Sequence, residues 1–179
     1  CALPIWKRTE EALKRHAAQL EALREVGLEL VSELELDAVL HSIVARALEL
    51  VDAEAGGLFL VRPDQGALEL VTVVGSGNLP SIGSILEPGA GMAGKVWESY
   101  EPRIVRDYQE WENRAPAYVE YDLYSTAGVP ICWADQCLGV LNVNSTQPRA
   151  FSQEDVDLLN LLATQSAIAI RNAQLLQTE

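Results

Sequence analysis

The spacing of apolar residues divides the chain into helical ends and a strand-rich middle. Residues 7–34 predict one long helix with a break near Gly27, and residues 36–52 predict a second helix capped by Asp37. The first helix carries a loose heptad, formed by Leu13, Leu20, Leu23 and Leu30. The last helix begins after the cap Ser152 and is apolar nearly all round, so it needs two packing partners.

The middle of the chain follows the two-residue period of strands. Four segments predict two hairpins, namely 57–62 with 68–75 and 125–132 with 136–144. Short strands at 85–86 and 103–105 flank a helix from 89 to about 100, and a loop with one short helix after Pro116 follows. Hairpins between terminal helices favour an α+β fold with an antiparallel sheet over a doubly wound parallel one.

The charge and the cysteine and histidine content exclude several classes of partner. The net charge is −13, which disfavours nucleic acid and anionic lipid surfaces. No apolar run reaches the roughly 18 residues that span a bilayer, so we expect no direct membrane contact. Three cysteines and two histidines, without a C-x-x-C motif, predict neither a disulfide framework nor a metal site. We therefore expect a cytoplasmic protein.

Three segments together resemble the GAF domain family. Glu87–Trp97 is similar to the glycine segment that leads into a helix, Ser125–Ile131 with Leu138–Val143 to the central hairpin, and Phe151–Asp155 to the start of the last helix. The resemblance covers roughly residues 25–175. It implies a GAF-like (profilin-like) sheet of about six antiparallel strands flanked by helices. It also implies a small-molecule pocket between the sheet and the loops of residues 76–124, and a homodimer formed through terminal helices.

The resemblance also implies a division of the chain and a function. Residues 7–24 are similar to the linker helix that often joins PAS and GAF domains in sensor histidine kinases. We therefore divide the chain into a linker or coiled-coil helix, residues 1–34, and a GAF domain with its signalling helix, residues 35–179. We expect a regulatory domain that senses an unknown small molecule without a bound cofactor and without catalysis. A ligand-free dimerisation spacer is the alternative, and a redox enzyme of the same family is a weaker one.

Two chemical readings have little support from the residues. Gly89–Gly94 matches G-x-G-x-x-G, but it follows a short strand and an upstream hairpin rather than the first strand of a βαβ unit. The family members that reduce free methionine sulfoxide carry a cysteine where Met92 stands. Cys132 and Cys137 lie in the second predicted hairpin, where we expect buried, inert thiols.

The aromatic residues mark the candidate site. Eight of the eleven lie between positions 97 and 133, mostly in predicted loop. Rings beside acidic groups suit a planar or cationic ligand through stacking and cation–π contacts. The alternative to a ligand site is that the same rings pack in the core and hold the loop in place. The candidate ligand-binding residues are Met92, Trp97, Asp107, Tyr108, Trp111, Tyr118, Tyr121 and Tyr124.

Overall fold

The fold is a single antiparallel sheet between two layers of helix and loop. The structure, a computed structural model, describes residues 5–77, 79–118, 120–148 and 150–176. Its helices are α1 (Ile5–Val51), α2 (Gly91–Ser99) and α3 (Gln153–Leu176), with a 3-10 turn at Pro116–Tyr118. Its strands are β1 (Ala55–Arg62), β2 (Ala67–Gly75), β3 (Ile85–Leu86), β4 (Arg103–Val105), β5 (Ser125–Trp133) and β6 (Gln136–Ser145).

The six strands run in the order β3-β2-β1-β6-β5-β4, and every neighbouring pair is antiparallel. The two predicted hairpins, β1–β2 and β5–β6, lie side by side because β1 pairs with β6. The short strands β3 and β4 close the two edges. The predicted α+β fold with a six-stranded antiparallel sheet and flanking helices is therefore confirmed.

Both faces of the sheet are buried, which explains why its central strands are apolar at successive positions. On one face, α1 and α3 pack against β1, β5 and β6 through residues such as Val44, Leu141 and Leu159. On the other face, α2 and the loops of residues 106–124 pack around Phe59 and Val140. The alternation of side chains along a strand places neighbours on opposite faces. A shift in one layer therefore reaches the other through the strands that they share.

The predicted break at Gly27 is wrong, as is the separate helix over 36–52. The structure has one continuous 47-residue helix, α1, and Asp37 lies inside it rather than at a cap. A single glycine costs a helix only about 1 kcal/mol, and the residues around it are good helix formers without proline. Leu13 and Leu20 are exposed, whereas the side chains of Leu23 and Leu30 lie outside the described residues. The boundary at residue 34 stays a prediction.

The start of α3 confirms the predicted cap. The Ser152 backbone N–H and its hydroxyl both donate to Asp155 Oδ2 at 2.7 Å, and the Asp155 N–H donates back to the Ser152 hydroxyl. One face of α3 is buried against the sheet and another carries exposed leucine and isoleucine side chains. In the ranges that the structure describes, no helix is both long and apolar enough to cross a bilayer.

Gly139 marks the closest backbone approach in the centre of the sheet. It lies in β6 between Leu60 of β1 and Ile131 of β5. A Cβ atom at this position would lie 2.1 Å from the Phe59 carbonyl oxygen, far below any van der Waals contact. The β1–β6 pairing that joins the two hairpins therefore requires glycine here.

We expect Gly139→Ala to destabilise the domain by about 3 kcal/mol, because backbone atoms of β1 must move to admit the methyl group. The control is Gly66→Ala in the β1–β2 turn, where φ is +59° and no atom lies within 4 Å of the added Cβ. That change should cost about 1 kcal/mol, from backbone conformation alone. Urea unfolding of both variants measures the difference, and equal losses would contradict the close approach.

Candidate functional site

A small cavity lies between the sheet and the layer formed by α2 and the loops. Its volume is about 40 Å³, room for a few water molecules, whereas pockets for drug-sized ligands have roughly 300–1,000 Å³. The wall comes from five strands, α2 and two loops. The lining residues are Gly56, Gly57, Phe59, Leu70, Val73, Leu79, Pro80, Leu86, Met92, Ala93, Tyr108, Tyr118, Leu123, Thr126, Asn142 and Asn144.

The loop over the cavity is held by local hydrogen bonds. Asp107 Oδ1 accepts from the backbone N–H groups of Gln109 and Glu110 at 3.1 and 3.3 Å, which closes a turn. The Gln109 side-chain amide donates to the carbonyls of Tyr121 and Leu123 at 3.3 and 2.9 Å. These bonds fix the two ends of the loop to each other, so Tyr108 and Tyr118 are held over the same cavity.

The hydroxyls of Tyr108 and Tyr118 have different surroundings. Tyr108 shares a hydrogen bond with the Ala115 backbone, which opposes the upward shift that burial gives its pKa. This contact needs Gly91, because a Cβ atom there would lie 3.0 Å from Ala115 Cβ. The Tyr118 hydroxyl is buried without a hydrogen-bond partner in the protein. Burial raises the pKa of Tyr118 far above its ordinary value, so this hydroxyl remains a neutral donor.

Asn142 supplies a second unpaired polar group in the wall of the cavity. Asn142 of β6 pairs with Gly128 of β5. Its side-chain oxygen lies over that glycine, so a Cβ atom at Gly128 would lie only 2.7 Å from Asn142 Oδ1. Asn142 Oδ1 is buried without a partner. In the part of the chain that the structure describes, Tyr118 and Asn142 hold the two such atoms. An unpaired buried polar atom costs about 1–3 kcal/mol, so the pair calls for a partner from outside the protein.

Three of the eight predicted site residues line the cavity, namely Met92, Tyr108 and Tyr118. Trp111 and Tyr121 pack against the two tyrosines of the wall. The ring centroids of Trp111 and Tyr108 are 5.6 Å apart, and those of Tyr121 and Tyr118 are 5.7 Å apart. The remaining three have other positions. Trp97 is half-buried beside the cavity-side core, Tyr124 is exposed, and Asp107 closes its turn.

Sequence reasoning missed the strand residues of the wall. Phe59, Leu70 and Thr126 look like ordinary core positions, because nothing in a strand pattern tells which buried face carries a cavity. Asn142 does leave a signal in the sequence. It is an amide between Leu141 and Val143, within a run of β6 that is otherwise apolar from Leu138 to Val143. A buried amide in such a place needs a hydrogen-bond partner.

The cavity carries no formal charge. None of its lining residues is acidic, basic or histidine. The acidic residues of the loop, from which a cationic ligand was expected, are not among them. Transfer of an ion into such surroundings is costly without a counter-charge. The wall therefore suits an uncharged molecule.

The two described cysteines lie away from this cavity, near the turn of the β5–β6 hairpin. Cys137 is buried, as expected, and Cys132 is partly exposed. Burial raises the pKa of the Cys137 thiol to about 12. Neither sulfur is placed to act on a molecule in the cavity.

The fold is an α+β domain with a curled antiparallel sheet between terminal helices and a loop-covered cavity. A family model described as GAF domain matches residues 33–171, most of the chain. The chain therefore belongs to the GAF domain family.

Solved structures with the same fold come from proteins of different functions. The GAF domain of an Acinetobacter phosphoenolpyruvate-protein phosphotransferase has 23% identity and a TM-score of 0.70, over 90% of this chain and 98% of that one. Its counterpart from Coxiella burnetii has 26% identity and a TM-score of 0.67, over 86% and 96%. A free methionine-R-sulfoxide reductase from Neisseria meningitidis has 22% identity and a TM-score of 0.68, over 84% and 87%. These similarities show the fold and do not assign a function.

We expect only Tyr108→Phe, and not Tyr118→Phe, to lower the stability of the domain, although both substitutions remove one hydroxyl from the cavity wall. Tyr118→Phe removes an unpaired group and should leave the free energy of unfolding unchanged or raise it by up to about 1 kcal/mol. Tyr108→Phe loses a hydrogen bond and should lower it by about 1 kcal/mol. Urea unfolding tests both, and an equal loss in the two variants would show that the Tyr118 hydroxyl has a partner in the protein.

Proposed function

We propose that this chain is the small-molecule-sensing domain of a cytoplasmic signalling protein of the sensor-kinase type, and that it has no catalytic activity. The observation that carries the proposal is the pair of unpaired polar atoms, Tyr118 Oη and Asn142 Oδ1, in the wall of one apolar cavity. A folded protein keeps such atoms buried at a cost, and a bound molecule removes that cost.

The ligand that fits this wall is small and uncharged. It has a hydrogen-bond donor for Asn142 Oδ1, an acceptor for the Tyr118 hydroxyl, and an apolar body against Phe59 and Leu70. The neutral lining replaces the earlier expectation of a cationic ligand. A volume of about 40 Å³ admits only a few non-hydrogen atoms, so a larger ligand requires outward movement of the loop that carries Tyr108 and Tyr118.

The signal passes through the sheet. Asn142 faces the cavity, whereas its neighbours in β6, Leu141 and Val143, pack in the layer of α1 and α3. A ligand that displaces Asn142 or its partner strand therefore changes the contacts of both terminal helices. Binding favours the arrangement of the terminal helices that accommodates the displaced strands. The signal is therefore a change in the populations of helix arrangements rather than a chemical step.

The terminal helices then act on a second copy of the chain. On α3, Leu161, Ile168 and Leu175 are exposed at seven-residue intervals, with exposures of 60%, 49% and 51%. Leu13 and Leu20 of α1 have the same spacing and are also exposed. A groove of about 270 Å³ lies between α1 and α3. Apolar side chains at heptad spacing are typical of helices that pair in a parallel or antiparallel coiled coil.

A ligand-free dimerisation spacer is the second candidate, and the small cavity volume is the observation that favours it. In that case a few water molecules satisfy Tyr118 and Asn142, and the helices alone carry the function. A methionine sulfoxide reductase is not proposed, because that chemistry needs thiols at the pocket and Cys132 and Cys137 are not among its lining residues.

We expect uncharged probes to stabilise the domain in a thermal-shift assay, and charged isosteres of the same size to have no effect. A suitable panel consists of very small amides, such as acetamide, each with its carboxylate and its amine. At a concentration one hundred times the Kd, the stabilisation is about 2.7 kcal/mol, and the melting temperature should rise by roughly 5–10 °C for a domain of this size.

The matched variants are Tyr118→Phe and Tyr124→Phe. Tyr118→Phe should weaken the shift, since it removes the donor in the cavity, whereas Tyr124→Phe alters an exposed ring outside the cavity and should leave it unchanged. A shift that appears only with charged probes, or that survives Tyr118→Phe in full, contradicts the proposal. Absence of any shift across the panel favours the spacer.

Ile168→Glu should weaken dimerisation at least about tenfold, because a carboxylate in an apolar helix seam loses hydration without gaining a partner. Asn160→Glu is the control, since it adds the same charge to an exposed position of the same helix that is already polar. Sedimentation equilibrium of the two variants measures the dimer dissociation constant. A monomeric parent chain, or equal weakening by both substitutions, would disprove pairing through this face.

A further inference from the structure

Cys132 and Cys137 are opposite each other at the turn end of the β5–β6 hairpin. Residues Ala134 and Asp135 form a two-residue turn, Trp133 pairs with Gln136, and the next pair outward is Cys132 with Cys137. In a hairpin with a two-residue turn, that next pair is the non-hydrogen-bonded one, in which the Cα atoms are about 4.5 Å apart. Disulfides bridge Cα atoms about 4.4–6.8 Å apart, so the backbone here already has a suitable separation.

The two thiols influence each other. Burial and then the neighbouring Cys132 thiol raise the pKa of the Cys137 thiol, and Cys137 Sγ donates to the Gly139 carbonyl at 3.2 Å. The register of the hairpin shifts between Ile131 and Cys132, which marks a bulge beside the pair. A bulge re-aims the side chains next to it. Directly opposite residues of an antiparallel pair project on the same face of the sheet, so the paired Cys132 and Cys137 side chains lie on one face of the hairpin.

We propose that Cys132 and Cys137 form a reversible dithiol–disulfide pair. This modification site cross-links the turn end of the β5–β6 hairpin when a peroxide oxidises it. This site is separate from the cavity and does not depend on a ligand there. It also revises the expectation that both thiols are inert.

The roles of the two thiols follow from their surroundings. Cys132 is partly exposed, whereas Cys137 is 5% exposed, and burial raises the pKa of its thiol. An oxidant from solvent therefore reaches Cys132 first. Cys137 is its cross-strand partner and completes the reaction.

The reaction balances with one peroxide and no other reagent. The Cys132 thiolate attacks one peroxide oxygen, the O–O bond breaks, and a sulfenic acid forms while the departing oxygen takes a proton and leaves as water or alcohol. The Cys137 sulfur then attacks the Cys132 sulfur, so an S–S bond forms and the S–O bond breaks. The Cys137 proton leaves with the released hydroxide as a second molecule of water. Two thiols are oxidised by two electrons, and the peroxide is reduced by two.

The test uses the full chain with Cys1→Ser, which leaves Cys132 and Cys137 as the only cysteines of the sequence. We expect treatment with one molar equivalent of hydrogen peroxide to remove the mass of two hydrogen atoms from the monomer. Digestion without reductant should yield the two cysteines in disulfide linkage, and dithiothreitol should restore the original mass. The linked form should also differ in melting temperature from the reduced one.

Two further variants make the outcome decisive. Adding Cys132→Ser should abolish the loss of hydrogen and leave Cys137 largely unoxidised, since its thiol is buried. Adding Cys137→Ser should instead trap Cys132 with one extra oxygen. The proposal is overturned if the parent chain gains oxygen without losing hydrogen, if it forms only disulfide-linked dimers, or if Cys137 is oxidised as fast as Cys132 when each is alone.

Discussion

The domain depends on the requirement that buried polar groups find partners. Along almost all of the sheet this requirement is met within the protein, as at Thr126, whose hydroxyl donates to the Val143 carbonyl at 3.1 Å. Tyr118 and Asn142 are the exceptions among the described residues, and both lie in the wall of one cavity. Since each unpaired group costs about 1–3 kcal/mol, a molecule that supplies one donor and one acceptor stabilises the domain without creating any new pocket.

The layered sheet gives that molecule a means of action. The strand β6 carries Asn142 toward the cavity and Leu141 and Val143 toward the terminal helices. Close packing on both faces means that a strand cannot move without its neighbours. Gly139, where β6 has no room for a side chain against β1, keeps these two strands close together. The cavity and the terminal helices therefore contact opposite faces of the same strand, β6.

The features that could be predicted from the sequence are those with local causes. The turn at Ala134 and Asp135 defined the second hairpin, and Ser152 with Asp155 defined the start of the last helix. The continuity of α1 was not predicted, because Gly27 was interpreted as a break and Asp37 as a helix cap. The aromatic clustering pointed to a loop that covers the cavity, and three of the eight candidates, Met92, Tyr108 and Tyr118, line that cavity. The rest of the wall depends on strand register and on which face each strand buries, and both are set by contacts distant in sequence.

The central claim is that Tyr118 and Asn142 receive their missing partners from a molecule in the cavity. A crystal structure of the purified domain at a resolution that shows ordered water and ligand atoms tests it most directly. We expect density within hydrogen-bond distance of both Tyr118 Oη and Asn142 Oδ1, from a small molecule that native mass spectrometry also detects. A cavity closed by side chains, with both atoms paired to protein groups, would contradict the account.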